Sequence, residues 1–492
     1  MLETVVFLSG AVVMILELAA ARVLAPYLGT SLFVWTSLIG VILGSLSLGY
    51  WWGGRVADRR PERRLLSLTF VAAAAVVALI PAAQAPLLSS LAANAADLRW
   101  KSLAAAMLFA LPAVLLGVVS PFAARLKMTD VSRSGRTVGG LYALSALGSI
   151  TGTFVAGFWL IPSVGSTRLV LILAFVLLGC SVVCEPRSLL WVKLAVLGLW
   201  AGLAVGYAND RPLLPSGKLV LDRDTAYQRL VVFDLPVPNR QPVRVLSMGF
   251  SEYHSAMFLD RPNELALDYT RFFRMAPYLR PGIRRALCIG GGAVIYPRDL
   301  LRASPRTKVD VVELDPGVTR IAREYFGLTD DPRLTMYHED GRVFLNRDGP
   351  AYDAVFLDVF WGRTIPFQLA TLESARRIAA RLTKDGVLLV NFVSAIEGPQ
   401  GEFFRAEYAT LRRVFPQVLI FAVFYPSEPA KVQNLILVAL RSAAPPSLTG
   451  EEMRQYATHL WRQPIPGDMP VLTDDFAPVE QYAARQLEPD SR

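Results

Sequence analysis

RALCIGGG, residues 285–292, followed by VDVVELD, residues 309–315, decides the fold of the second half of this chain. The first is a continuous apolar run ending in glycines, the form of a strand buried on both faces that opens into a ligand loop. The second is another apolar run, one helix-length further on, and it ends in two acids, Glu313 and Asp315. Working outward, the pattern predicts a helix over 316–326 and a third strand near Leu334–His338, ending at Glu339 and Asp340. A fourth strand lies in AVFLDVF (354–360) and ends at Asp358, and a fifth lies in GVLLVNFV (386–393). Strands alternating with helices imply a doubly wound α/β sheet. Upstream, LVLDRD, QRLVVFDL and VRVLSMGF read as a small β-region.

In such a sheet the ligand lies beyond the carboxyl ends of the strands, at the point where strand order reverses. Gly290, Gly291, Gly292, Glu313, Asp315, Asp340 and Asp358 all fall at those ends. Glycines permit close backbone approach to a ligand. A carboxylate at the second strand end has two oxygens to accept both hydroxyls of a ribose, and one at the third can accept from an adenine amino group. An acid at the fourth faces a reacting centre. Acids in register at successive strand ends therefore point to a nucleoside site. The alternative reading is a set of helix N-caps, and Asp315 before Pro316 suits it.

The first 208 residues have a different composition. No charged residue occurs in Val23–Gly54, Leu65–Ala96, Ser102–Ala124, Thr137–Thr167, Leu169–Cys184 or Leu194–Ala208. A bilayer core needs roughly 20 apolar residues per helix, and a soluble helix would interrupt such runs with a polar face. The expectation is an α-helical transmembrane bundle of seven spans: Val5–Leu24, Leu32–Trp52, Leu65–Ala85, Leu103–Pro121, Val138–Ile161, Leu169–Cys184 and Leu189–Tyr207. Glu17 and Arg22 in the first span, with no basic segment before it, argue against a removable signal peptide. Domain boundaries follow: bundle 1–208, linker 209–218, small β-region 219–260, α/β domain 261–445 and C-terminal tail 446–492.

Basic residues cluster after the second, fourth and sixth spans, which places the N-terminus in the cytoplasm. Seven full spans would then carry the α/β domain outside, away from nucleotide cofactors. The domain is nevertheless expected to face the cytoplasm, with one segment re-entrant or interfacial. Gly40 with Gly44, Gly49 with Gly53, and Gly148, Gly152 and Ala156 stand at helix-contact spacing. Glu17 is costly inside a span, so it is either functional or paired with a polar neighbour. The net charge of +9 sits largely in membrane loops, so the partners expected are a lipid bilayer and a small molecule and not nucleic acid. Three cysteines in apolar segments suggest neither a disulfide framework nor a metal site. Self-association into a homo-oligomer stays open.

Taken together, IGGG, VVELDPGV, the DPRL…EDGRVFL block and YDAVFLDVF resemble the spermidine synthase (polyamine aminopropyltransferase) family over roughly 222–440. The opening LELAAARVLAPYLGTSLFVWTSLIGVILGSLSLGYWWGG and the closing VLTDDFAPVE are similar to bacterial membrane proteins that fuse several spans to such a domain. The resemblance implies a Rossmann-like fold of class I methyltransferase type, located at the bacterial inner membrane. It implies decarboxylated S-adenosylmethionine, or S-adenosylmethionine, as co-substrate, an amine acceptor and no metal. Glu313 would hold the ribose, Asp340 with Gly341 the adenine, and Asp358 would deprotonate the amine. Tyr269 would stand near the amine channel and His254 near the family's substrate glutamine; His254 otherwise reads as a partly exposed histidine.

Two departures bear on the substrate. Where the family's loop reads GGGDG, with an aspartate for the amine of the aminopropyl arm, this chain has Ala293 and Val294. Where the family has a second aspartate for the diamine, this chain has Trp361. The expected activity is aminopropyl transfer. The alternatives are methyl transfer from S-adenosylmethionine, or a transporter or sensor whose adenosyl-binding domain is regulatory or inert. Asp358 favours the first, and the two missing acids favour the others. GGRVADRRPERR (53–64) resembles the loop after the second helix of major-facilitator transporters, but it is a short pattern and the expected spans fall well short of that fold's usual number.

Overall fold

A computed structural model describes residues 1–28, 31–93, 98–128, 134–209, 217–238, 240–248, 253–360, 365–446, 448 and 450–485. The chain divides into two compact units, one essentially residues 1–213 and the other the remainder apart from short segments of the first β-strands.

The first unit is helical: α1 (Leu2–Leu28), α2 (Leu32–Arg59), α3 (Arg63–Ala93), α4 (Leu98–Ala106), α5 (Ala110–Lys127), α6 (Ser134–Val155), α7 (Ile161–Val164), α8 (Ser166–Cys184) and α9 (Leu190–Asn209). A 3-10 turn joins α4 to α5 and a π-helical turn, Ala156–Leu160, joins α6 to α7. Among the described residues six helical segments are long and apolar enough to cross a membrane, and the seventh apolar helix, Leu190–Gly206, is shorter. All seven expected segments are helical, but the last is the weakest candidate for a full crossing.

Small residues set two of the helix contacts. A Cβ on Gly148 would lie 2.0 Å from the Phe7 carbonyl oxygen, and one on Gly152 would lie 2.5 Å from that of Ala11. These positions advance together, so α1 and α6 run side by side in the same direction. Gly49 and Gly53 meet α5 in the same way, at Val114, Gly117 and Val118. Gly40 and Gly44 do not behave as their spacing suggests: among the described residues a Cβ at either would meet nothing within 4 Å. Glu17 lies half-buried on α1, and no described residue pairs with it.

The second unit opens with a four-stranded sheet in the order β1-β2-β3-β4, formed by β1 (Lys218–Asp224), β2 (Arg229–Val237), β3 (Arg240–Ser247) and β4 (Ser255–Phe258). Then come α10 (Asp268–Phe272), α11 (Ala276–Leu279), β5 (Arg285–Ile289), α12 (Ile295–Ala303), β6 (Lys308–Val312), α13 (Pro316–Tyr325), β7 (Leu334–Tyr337), α14 (Gly341–Asn346) and β8 (Tyr352–Leu357). They are followed by α15 (Leu372–Arg381), β9 (Leu382–Ser394), α16 (Glu402–Arg412), β10 (Gln417–Ala422) and β11 (Gln433–Leu440). The large sheet has the order β10-β11-β9-β8-β5-β6-β7.

Strands β9, β8, β5, β6 and β7 are parallel, as the sequence pattern implies. The sequence reading did not assign β10 and β11. β11 lies antiparallel between β9 and β10, which makes the sheet mixed. The apolar run of β5 is continuous because both faces are covered: Leu287 and Ile289 pack into one core cluster, Ala286 and Cys288 into the other. The expected tail is not peripheral. Leu472, Val479 and Tyr482 are buried in one of these clusters and Met453 in the other.

Candidate active site

The glycine loop leaves β5 beside β8. Gly290 has φ +90°, and a Cβ there would lie 2.2 Å from the carbonyl oxygen of Asp358, so only glycine lets the two strand ends come this close. The Asp358 N–H donates to the Ile289 carbonyl (2.9 Å) and the Gly290 N–H to that of Val312 (2.9 Å). The turn is thereby stitched to the strands on both sides.

Glu313, just past β6, is buried. One carboxylate oxygen accepts from the Gly291 N–H (3.0 Å) and the Gly292 N–H (3.2 Å), and the other accepts from the Asp315 N–H (3.0 Å). Burial pushes its carboxyl above the ordinary range, and the three backbone donors oppose that rise. A carboxylate offers about four acceptor positions, so capacity remains for a ribose hydroxyl. Glu313 thus both fixes the loop and presents an acceptor beside it.

Asp315 is almost fully buried and caps α13, accepting from the Gly317 N–H (2.8 Å) ahead of Pro316 at the first helical position. Asp340 caps α14 through the Arg342 and Val343 N–H groups (2.8 and 3.1 Å), while its second oxygen accepts from Gln368 (3.3 Å). Gly341 opens α14 close to the end of β5, where a Cβ would meet the Ile289 side chain at 2.5 Å. The closing VLTDDF segment braces this corner: Asp474 accepts from Arg342 (2.6 Å) and Thr371 (2.6 Å).

Asp358 follows β8. One oxygen accepts from the Tyr269 hydroxyl (3.0 Å) and the other from the Asn391 side-chain amide (2.9 Å). The Asn391 oxygen in turn accepts from Asn434 (3.0 Å), which directs the Asn391 N–H toward the carboxylate. Burial lifts the Asp358 carboxyl to about 6, and its two donors oppose the rise. Burial, and then the facing carboxylate, hold the Tyr269 hydroxyl well above its ordinary value, so it remains a donor. The arrangement is a carboxylate poised to take a proton near neutral pH, with its orientation fixed from two sides.

His254 lies in the turn before β4, where its Nδ1 accepts from the Met248 N–H (3.3 Å) and its carbonyl lies near Gly292. Ala293, at the place of the family's loop aspartate, is fully buried beside Leu246, Val318 and Phe326, and its N–H donates to Ser255 (2.9 Å). Val294 has φ +57°, a left-handed conformation costly for a β-branched residue. Trp361 lies outside the described residues. The structure therefore brings together the glycine loop, Glu313, Tyr269 and Asp358, and assigns Asp315 to a cap. Sequence reasoning missed Asn391, Asn434 and Gln368. Asn391 carried a signal, as the single amide in the apolar strand GVLLVNFV, and it is 1% exposed.

Residues 272–443 match the family model of the spermine/spermidine synthase domain. A polyamine aminopropyltransferase of Vibrio vulnificus is 26% identical over 234 residues, covering 46% of this chain and 73% of that one. A polyamine aminopropyltransferase of Corynebacterium efficiens is 28% identical over 366 residues, 69% of this chain and 68% of that one. Among solved structures, the spermidine synthase of Thermotoga maritima aligns with 54% of this chain and 87% of its own, at 19% identity and a TM-score of 0.38.

Proposed function

We propose that the spermine/spermidine synthase domain carried by this chain transfers an aminopropyl group from decarboxylated S-adenosylmethionine to an amine, with Asp358 as general base. The observation that carries the reading is the position of Asp358. It sits at the end of β8, beside Gly290, held by Tyr269 and Asn391 and titrating near 6. The co-substrate, when bound, supplies a sulfonium whose aminopropyl carbon forms a C–N bond as its C–S bond breaks, releasing methylthioadenosine. An acceptor amine is an ammonium at neutral pH and cannot attack until it loses a proton, and Asp358 is oriented to take it. Glu313 and the glycine loop suit the nucleoside, and Asp340 with Gly341 suits the adenine end. Tyr269 keeps the Asp358 carboxylate aimed.

One observation favours a second reading, methyl transfer from S-adenosylmethionine. Buried Ala293 offers no counter-charge to the amine of an aminopropyl arm. Calorimetry of the full-length protein separates the two. Decarboxylated S-adenosylmethionine and methylthioadenosine should bind, and Glu313→Ala should weaken methylthioadenosine at least about tenfold, since a hydrogen bond to a charged group contributes about 1.5–3 kcal/mol. Affinity unchanged by that substitution would move the nucleoside site elsewhere. Tighter binding of the non-decarboxylated form would favour methyl transfer.

The helical unit is read as a bundle in the bacterial inner membrane, with the α/β unit in the cytoplasm. Six long apolar helices and a shorter seventh support this sidedness, because six crossings return the chain to the side on which it began. Retention in the pellet after alkaline carbonate washing tests insertion. Paired C-terminal phosphatase and fluorescent-protein fusions test sidedness, and high phosphatase activity with a dark fluorophore would reverse it.

A further inference from the structure

Within the helical unit α2 and α4 leave an open groove of about 520 Å³, lined by Thr36, Ser37, Gly40, Arg99, Trp100 and Leu103 among others. Its floor exists because Gly40 is not a helix contact: among the described residues nothing from a neighbouring helix lies within 4 Å of where its Cβ would be. Gly49 and Gly53 meet Val114 and Val118 in increasing order, so α2 runs in the same direction as the segment containing α4 and α5. Both helices therefore enter from the same end. Thr36, Ser37, Arg99 and Trp100 lie in or next to the opening turn of their helices, and Gly40 and Leu103 lie one turn deeper. The groove has a polar, cationic mouth and an apolar floor.

The mouth has the composition of a membrane interface. The Arg99 guanidinium lies 5.2 Å from the centre of the Phe33 ring, and Trp100 is 68% exposed. Tryptophan and arginine at the ends of spans sit at headgroup depth. The arginine-rich turn after α2 and the basic last turn of α5 lie at the opposite end of the same helices. An amine would be repelled by Arg99, so the groove does not suit the acceptor of the α/β unit. Its gradient suits an amphiphile with an anionic head.

We propose that the α2–α4 groove is a specific site for an anionic phospholipid, with the phosphate at Arg99, Thr36 and Ser37 and an acyl chain lying over Gly40 and Leu103. This rests on the reading of the helical unit as membrane-spanning. Carbonate extraction tests that reading separately, because a protein that stays in the membrane can still lack this site. The test is native mass spectrometry of the full-length protein taken from vesicles of equal phosphatidylglycerol and phosphatidylcholine content. Retained phosphatidylglycerol should exceed phosphatidylcholine, and Arg99→Gln should reduce that excess at least tenfold. Gly40→Leu, which fills the floor without altering charge, should do the same; should it fail to fold, Arg99→Gln decides. Equal retention of both lipids, or an excess unchanged by Arg99→Gln, overturns the proposal.

Discussion

Asn391→Leu removes one of the two donors to Asp358 while keeping the volume of a buried strand residue. Asp358 titrates near 6 because burial raises it and the Asn391 amide holds it down. A hydrogen bond to a charged group contributes about 1.5–3 kcal/mol. At about 1.4 kcal/mol per pH unit, its loss should raise the carboxyl by about one to two units. The acid limb of kcat/KM should therefore move from about 6 to about 7–8, given that the base acts only when ionised. The rate at pH 7 should fall about two- to tenfold and recover by about pH 9. Asn434→Leu should shift the limb in the same direction by less, because Asn434 acts only by orienting Asn391. The assay is methylthioadenosine release across pH 5–10. A limb that stays in place, or a loss that does not recover at high pH, would refute the role given to Asn391.

Asp358→Asn should leave methylthioadenosine binding intact while turnover falls about 10²–10⁴-fold. Because its folded pKa is raised from 3.8 to about 6, the stability tied to neutral Asp358 is complete below its unfolded value and is lost as pH rises through about 6. The same variant should therefore be more stable at pH 8, by up to about 3 kcal/mol, with no gain at pH 4, as read by denaturant titration. Glu407 lies buried on α16 with one oxygen lacking a partner among the described residues, and burial raises its carboxyl well above the ordinary range. Glu407→Leu should stabilise by about 1–3 kcal/mol, with the gain growing as pH rises; a gain that shrinks with pH would contradict the sign. At Val294, glycine should be more stable than alanine by about 1 kcal/mol, the reverse of the usual order, because φ is +57°.

The acids at the strand ends were legible in the sequence because a parallel strand buried on both faces is an apolar run, and the first polar residue after it marks its ligand end. Glu313, Asp340 and Asp358 were found that way. Asp315 stood in the same register, yet capping explains it, and Pro316 already said so. β11 was not recognised, since a local apolar run does not reveal whether it inserts between two earlier strands or extends an edge. Asn434 was missed with it, and with Asn434 the reason Asn391 is directed at Asp358. The glycine spacings were ambiguous for a related reason. The same periodicity brings Gly148 against Phe7 and leaves Gly40 facing an open groove, and only the neighbouring helix decides which.

The most direct test of aminopropyl transfer is product analysis. The purified full-length protein is incubated with labelled decarboxylated S-adenosylmethionine and a panel of mono- and diamines, and the products are resolved by mass spectrometry. The expected result is methylthioadenosine formed one-for-one with an amine bearing an added aminopropyl group, at a rate about 10²–10⁴-fold lower in Asp358→Asn. Methylated acceptor and S-adenosylhomocysteine from S-adenosylmethionine, with no methylthioadenosine from the decarboxylated donor, would contradict it.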